Sequence, residues 1–192
     1  MDLQHVNVKL LVSDPESVDL EPLIPVFHRW IQGQVCEELL LDIADYRHVP
    51  EGPGVVLIGH QADYSVDNTN GRLGVRYNRK APLDGSNRDR LKQAAYSALK
   101  ASALLEAESA LEGKLRFNGR ELDLFVNDRM LAPNREQMRA AVDSELRSFF
   151  DALFRGGKYA IAYDTDPRHL LSVSVRSENP FSIGDLLRNL EP

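Results

Sequence analysis

Tyr64-Ser65-Val66-Asp67-Asn68-Thr69-Asn70-Gly71-Arg72-Leu73-Gly74-Val75-Arg76-Tyr77 decides the fold class. Apolar and polar residues alternate before and after Asn70-Gly71. Asn-Gly between two alternating runs is a strong hairpin signal, because both turn positions favour positive φ. Asn118-Gly119-Arg120 follows 48 residues later, and Asp166-Pro167-Arg168 another 48 residues on. Sixteen residues after each turn comes a helix-start pattern: Ser86-x-x-Asp89, Asn134-x-x-Gln137 and Ser182-x-x-Asp185. The spacing predicts three hairpin–helix units in series, 61–109, 110–156 and 157–192. The apolar registers do not superpose, since Leu91 corresponds to Arg139 and Met138 to Arg90. Any repeat is therefore one of architecture.

The segment before these units reads as an N-terminal lobe, 1–60. His5 to Val12 begins with strand alternation, and Ser13-Asp14-Pro15 breaks it. Leu20, Leu23, Ile24, Phe27, Trp30 and Ile31 recur at steps of 3 and 4, the stripe of an amphipathic helix. Phe27 and Trp30 are core candidates. Residues 38–46 and the apolar run Val55-Val56-Leu57-Ile58 read as a hairpin across a Pro/Gly loop. Later helices present two kinds of face. Leu91, Ala94, Ala95, Ala98, Ser102 and Leu105 make a narrow one, whereas Val142, Leu146, Phe149, Phe150 and Leu153 make a bulky one. The expected fold is one α+β domain over 1–192. It has a mainly antiparallel sheet of hairpins with about four helices packed largely on one face.

Bulk composition narrows the function classes. Apolar residues make up 43% of the chain and charged residues 27%, which suits a folded domain rather than a disordered chain. No run approaches the ~20 apolar residues of a membrane span. Met1-Asp2-Leu3-Gln4-His5 has neither the basic flank nor the apolar stretch of a signal segment. Cys36 is the one cysteine, so no intrachain disulfide forms, and a reducing cytoplasm is the expected home. Glu37 and Glu38 disfavour a Cys36 thiolate, so Cys36 reads as a small packing residue. Residues 1–67 hold 12 acids against 3 Lys/Arg, whereas residues 72–92 hold 7 Lys/Arg against 2 acids. The basic stretch is too short for the broad basic face of a nucleic-acid binder. Two oppositely charged stretches favour self-association, and a homodimer is the expected partner state.

Two groups of residues are candidate sites. The first is a polar cluster: Asp42, Asp45 and His48 before the Pro/Gly loop, then His60, Asp63 and Asp67 after the apolar run. Imidazole beside carboxylate suits a divalent metal or an acid/base pair, with Asp45, His48, His60 and Asp63 the named candidates. Their spacing matches no established metal motif, so no cofactor is named. The second group is basic. Arg72, Arg120 and Arg168 follow the three turns, and Arg72, Arg76, Arg79 and Lys80 lie close in sequence. Guanidinium forks grip carboxylates and phosphates, so Arg72, Arg76 and Arg79 are anion-binding candidates. Arginines at hairpin ends also blunt sheet edges against aggregation. No phosphate loop, dinucleotide fingerprint or hydrolase elbow occurs. The expected function is a non-catalytic binding or assembly domain for a protein or small ligand. The alternative is a metal- or acid/base-dependent enzyme built near His60 and Asp63.

Overall fold

The structure, a computed structural model, describes residues 2–191. Eight strands form one antiparallel sheet: β1 (Val6–Val12), β2 (Leu40–Tyr46), β3 (Gly54–Gly59), β4 (Ala62–Asp67), β5 (Gly74–Arg79), β6 (Phe117–Val126), β7 (Tyr159–Tyr163) and β8 (Leu171–Ser177). Four α-helices accompany them: α1 (Leu23–Gly33), α2 (Asn87–Ala107), α3 (Glu136–Leu153) and α4 (Ile183–Leu190). The strand order is β2-β3-β4-β5-β1-β6-β8-β7. The α+β fold read from the sequence is the observed one. No helix among the described residues is long and apolar enough to cross a membrane.

The first strand of the chain sits in the middle of the sheet. β1 pairs Leu10 with Val75 of β5 on one side and with Leu122 of β6 on the other. Val6, Val8, Leu10 and Val12 point into the main core with Val75, Tyr77, Leu122, Leu124, Val173 and Val175. α2 lies across β1 and β5, and its small face is why it can do so closely. Leu91, Ala94, Ala95, Ala98, Ser102 and Leu105 are all buried there. α4 packs on α2 and β6, α3 packs on α2 and α4, and α1 covers β2 and β3. Pro25 sits in the first turn of α1, where no intrahelical hydrogen bond is lost.

The first and third repeated turns are hairpin tips. Asn70 and Gly71 join β4 to β5 with φ of 63° and 66°. Residues 164–170, including Asp166-Pro167, join β7 to β8. The second turn requires correction, because Asn118-Gly119-Arg120 lies inside β6. Between the pairs Leu10↔Leu122 and Val12↔Phe117, β6 runs longer than β1 and bulges. A Cβ on Gly119 would come within 2.1 Å of the Phe181 carbonyl oxygen. Gly119 therefore admits the backbone leading into α4 and makes no turn. Asn118-Gly119 imitates a hairpin signal for this packing reason.

Two of the three caps form. Ser86 and Ser182 each complete a capping box with Asp89 and Asp185. Asn134 does not cap α3, whose N-cap is Arg135 without a side-chain bond. Its Nδ2 donates to the Asp166 carbonyl at 2.9 Å, and its Oδ1 accepts from Arg139 Nη1 at 2.9 Å. It ties the start of α3 to the β7–β8 tip. The three-fold repeat thus loses both its middle hairpin and its middle cap.

Close packing at Gly119 and open space around Gly71 predict different costs. Gly119→Ala should destabilise by about 2–3 kcal/mol through steric overlap. Gly71→Ala meets nothing within 4 Å, so it should cost only about 1 kcal/mol, for positive φ. Urea denaturation of the two variants checks this ranking. An equal or reversed order would contradict it.

Candidate binding cleft on the open face of the sheet

Alternation along the strands sends a second set of side chains to the face without helices. One row of cross-strand neighbours runs Ser65, Arg76, Lys9, Asp123, Ser174 and Ala162 across β4, β5, β1, β6, β8 and β7. Two of these charged residues are buried. The Lys9 side chain is 3% exposed and that of Asp123 8%. The tip after β4 explains how. Arg72, just before β5, reaches β6 on the far side of β1, a span of roughly 10 Å or two strand spacings. Its Nη1 donates to both Asp123 oxygens at 3.0 and 2.9 Å, and its Nη2 donates to Glu121 Oε1 at 2.6 Å. Ser174 Oγ donates to Asp123 Oδ1 at 2.6 Å. The Arg72 side chain is thus a strap over the central strand.

Beneath this strap Lys9 Nζ donates to Asp67 Oδ1 at 2.6 Å, and the Asp67 side chain is only 4% exposed. Asp67 also accepts the Thr69 backbone N–H at 2.9 Å and the Thr69 hydroxyl at 3.1 Å. Burial pushes the Lys9 ammonium below the ordinary lysine range, and the Asp67 carboxylate pulls it part of the way back. Arg76 stands beside them with its Cζ 4.7 Å from the centre of the Phe125 ring. Arg76 Nη1 is 3.8 Å from Asp67 Oδ2, and its Nε is buried without an acceptor. These groups, with Asn70, Ser172 and Asp164, line a cleft of about 280 Å³.

Of the arginines singled out in the sequence, Arg72 and Arg76 meet in this cleft. Arg79 does not. It donates to the Ala81 and Pro82 carbonyls near the start of α2. Arg120 donates to the Glu178 carbonyl, and Arg168 pairs with Asp166. The polar cluster splits in two. Asp45 and His48 lie at the β2–β3 end, whereas His60 and Asp63 lie at the β3–β4 end. The six residues of β3 hold the two ends roughly 20 Å apart. Asp45 pairs with Arg47, whose hydrogen bonds hold its carboxyl down at about 2. Asp63 pairs with Lys80 at 2.6 Å and accepts the Gly59 N–H at 3.2 Å. Among the described residues no group of three or more His, Cys, Asp and Glu could hold a metal ion.

A separate polar knot lies on the helix side. Glu38 accepts from the Tyr64 hydroxyl at 2.5 Å and from the Tyr77 hydroxyl at 2.7 Å. Gln93 of α2 donates to the Tyr77 oxygen at 2.8 Å. Burial pushes both phenols well above the ordinary tyrosine range. The neighbouring Cys36 thiol is raised to about 11, also chiefly by burial. Every carboxylate oxygen of Glu38 has a donor, so the knot works as a strut between sheet and helix.

Lys9, Asp123 and Phe125 of the cleft, and Glu121 behind Arg72, are not legible as site residues. Their one sequence signal is a charge at alternate strand positions, as in Val8-Lys9-Leu10 and Leu122-Asp123-Leu124.

The Lys9–Asp67 pair predicts non-additive energetics. Asp67→Leu strands the Lys9 charge and should cost about 3–5 kcal/mol. Lys9→Met should cost less, because Arg76 remains to neutralise Asp67. The double variant should be destabilised by clearly less than the sum of the two in urea denaturation. Simple additivity would show that the pair is not coupled. Comparison with known proteins brings no relative to this geometry: no family model, no curated protein and no solved structure matches the chain.

Proposed function

We propose that this protein is a non-catalytic binding module that seats a small polar ligand in the open-face cleft. One observation carries the reading: charged side chains are buried on a sheet face that no helix covers. Packing apolar residues at both Lys9 and Asp67 would serve stability as well or better, since desolvating an ion pair costs several kcal/mol. Charges kept at that cost, around a cleft, suit recognition of a polar partner. The pairing of Lys9 with Asp67 and of Arg72 with Asp123 supports holding a ligand over moving protons. The metal or acid/base alternative near His60 and Asp63 has less support, because Lys80 already occupies Asp63.

The test is protein-detected NMR with a panel of small anions, cations and neutral polar molecules. Binding should shift amides of residues 67–76, 123–125 and 172–174 as one group. A panel that leaves them unmoved would overturn the reading.

We further propose that the module works as a homodimer in the cytoplasm, its copies meeting at the β2 edge. The small-residue face of α2 is covered by the protein's own sheet, which leaves the edge as the route. Leu39 and Leu41 there are each 52% exposed, and Tyr46 and Val49 are exposed nearby. Light scattering at tens of micromolar should give twice the 21.6 kDa chain mass, and Leu41→Glu should return it to the monomer mass. A monomeric wild type would refute self-association.

A further inference from the structure

Among the described residues of the cleft, Arg76 is the cation without a carboxylate at hydrogen-bond distance. Lys9 and Arg72 are engaged by carboxylates within hydrogen-bond distance. Arg76 is not. Its closest carboxylate oxygen, on Asp67, is 3.8 Å from Nη1, and its Nε finds no acceptor at all. The side chain keeps 20% of its surface exposed within the cleft lining. The guanidinium carbon lies over the Phe125 ring. The buried Nε lies out of a ligand's reach, so the donors that the exposed part of the side chain offers to a ligand oxygen are those of the Nη groups.

Charge selects the ligand class. The ionised groups lining the cleft are Lys9, Arg72 and Arg76 against Asp67, Asp123 and Asp164. These cancel, and Glu121 adds a negative charge behind Arg72. A dianion such as phosphate would meet this acidic wall at close range. A monoanion needs only the local surplus, in which Lys9 and Arg76 face the single Asp67. A planar two-oxygen acceptor also matches the guanidinium fork. Ser172 and Ser174 supply hydroxyls on the opposite wall.

Resting on the cleft as the binding site, we propose that Arg76 is the anchor for a small monocarboxylate ligand. The carboxylate takes the Nη donors of the guanidinium, and the remainder of the ligand extends toward Ser172 and Ser174.

The experiment titrates ¹⁵N-labelled protein with butyrate, butylammonium, butanol and inorganic phosphate at matched ionic strength. It reads the Arg76 Nε–Hε resonance and the cleft amides. Butyrate should shift both and saturate; the other three should leave the Arg76 resonance in place. Arg76→Met should weaken butyrate binding at least tenfold. Arg76→Lys keeps the charge without the fork and guards against a folding failure; it should weaken binding several-fold. Arg168→Gln, at an exposed pair distant in the chain, should leave affinity unchanged. Phosphate binding as tightly as butyrate would overturn the carboxylate assignment while leaving the cleft as a site. Amide shifts with another class of compound and none with butyrate would do the same. No response of cleft amides to any panel compound would remove both readings, and butyrate binding unaffected in Arg76→Met would remove Arg76 as the anchor.

Discussion

Central placement of β1 is the constraint from which the rest of the architecture follows. A strand flanked by β5 and β6 has no free edge, and all seven of its residues are buried. Val6, Val8 and Leu10 meet that condition on the helix side by ordinary apolar packing. Asn7 and Lys9 cannot, because alternation places them on the opposite face with polar side chains. Lys9 is buried there against Asp67 at the end of β4, while Arg72 of the β4–β5 tip pairs with Asp123, the cross-strand neighbour of Lys9. An amine held at 3% exposure needs a carboxylate, and Asp67 at 2.6 Å supplies it. The strap in turn needs anchors beyond β1, which Glu121 and Asp123 provide.

The two faces of the sheet therefore solve the same burial problem in different ways. On the helix side α2 approaches closely through alanines, and bulk is supplied by α3 through Phe149, Phe150 and Leu153. Close approach of backbones recurs at Gly119, where the chain entering α4 passes over β6. On the open side no helix among the described residues packs. Burial there comes from long charged side chains that lie along the sheet, their stems covering apolar surface while their heads pair. Such a layer leaves gaps that helix packing would fill, and the 280 Å³ cleft is one of them.

Local rules decided how much was legible in the chain. The β4–β5 and β7–β8 tips, two capping boxes and the small face of α2 depend on residues within a few positions of one another, and all could be read directly. Asn118-Gly119-Arg120 shows where local reading breaks down. The same dipeptide that closes one hairpin forms a bulge in another strand, because a backbone more than 60 residues downstream requires the space. Asn134 has the chemistry of a cap but spends its side chain on Asp166, 32 positions away. The cleft was harder still. Arg72 finds Asp123 across 51 positions and Lys9 finds Asp67 across 58. Arg72 and Arg76 could be named as anion binders from their type alone. Their companions depended on strand order, which periodicity does not encode. Asp45 and His60 are drawn together by sequence proximity, yet a straight strand between them keeps them apart.

Strand order also separates the two proposed surfaces. β2 lies four strands from β1, so its edge is roughly 20 Å from Lys9. Cleft residues come from β1, β4, β5, β6, β7, β8 and the β4–β5 and β7–β8 tips, and none lies on β2. A second copy docked at the β2 edge would therefore neither cover Arg76 nor contribute a group to it. Charge screening points the same way, since the Debye length is about 8 Å at physiological salt. A ligand seated at Arg76 would not favour one association state through its charge. Coupling between the two would have to pass through the hairpins β2–β3 and β3–β4. The Glu38 knot bears on that path, because it clamps the residues before β2 to Tyr64 of β4, Tyr77 of β5 and, through Gln93, to α2. A strut of that kind resists relative movement of these strands. It sets the proposed assembly edge and the proposed ligand cleft apart as two independent features of one sheet.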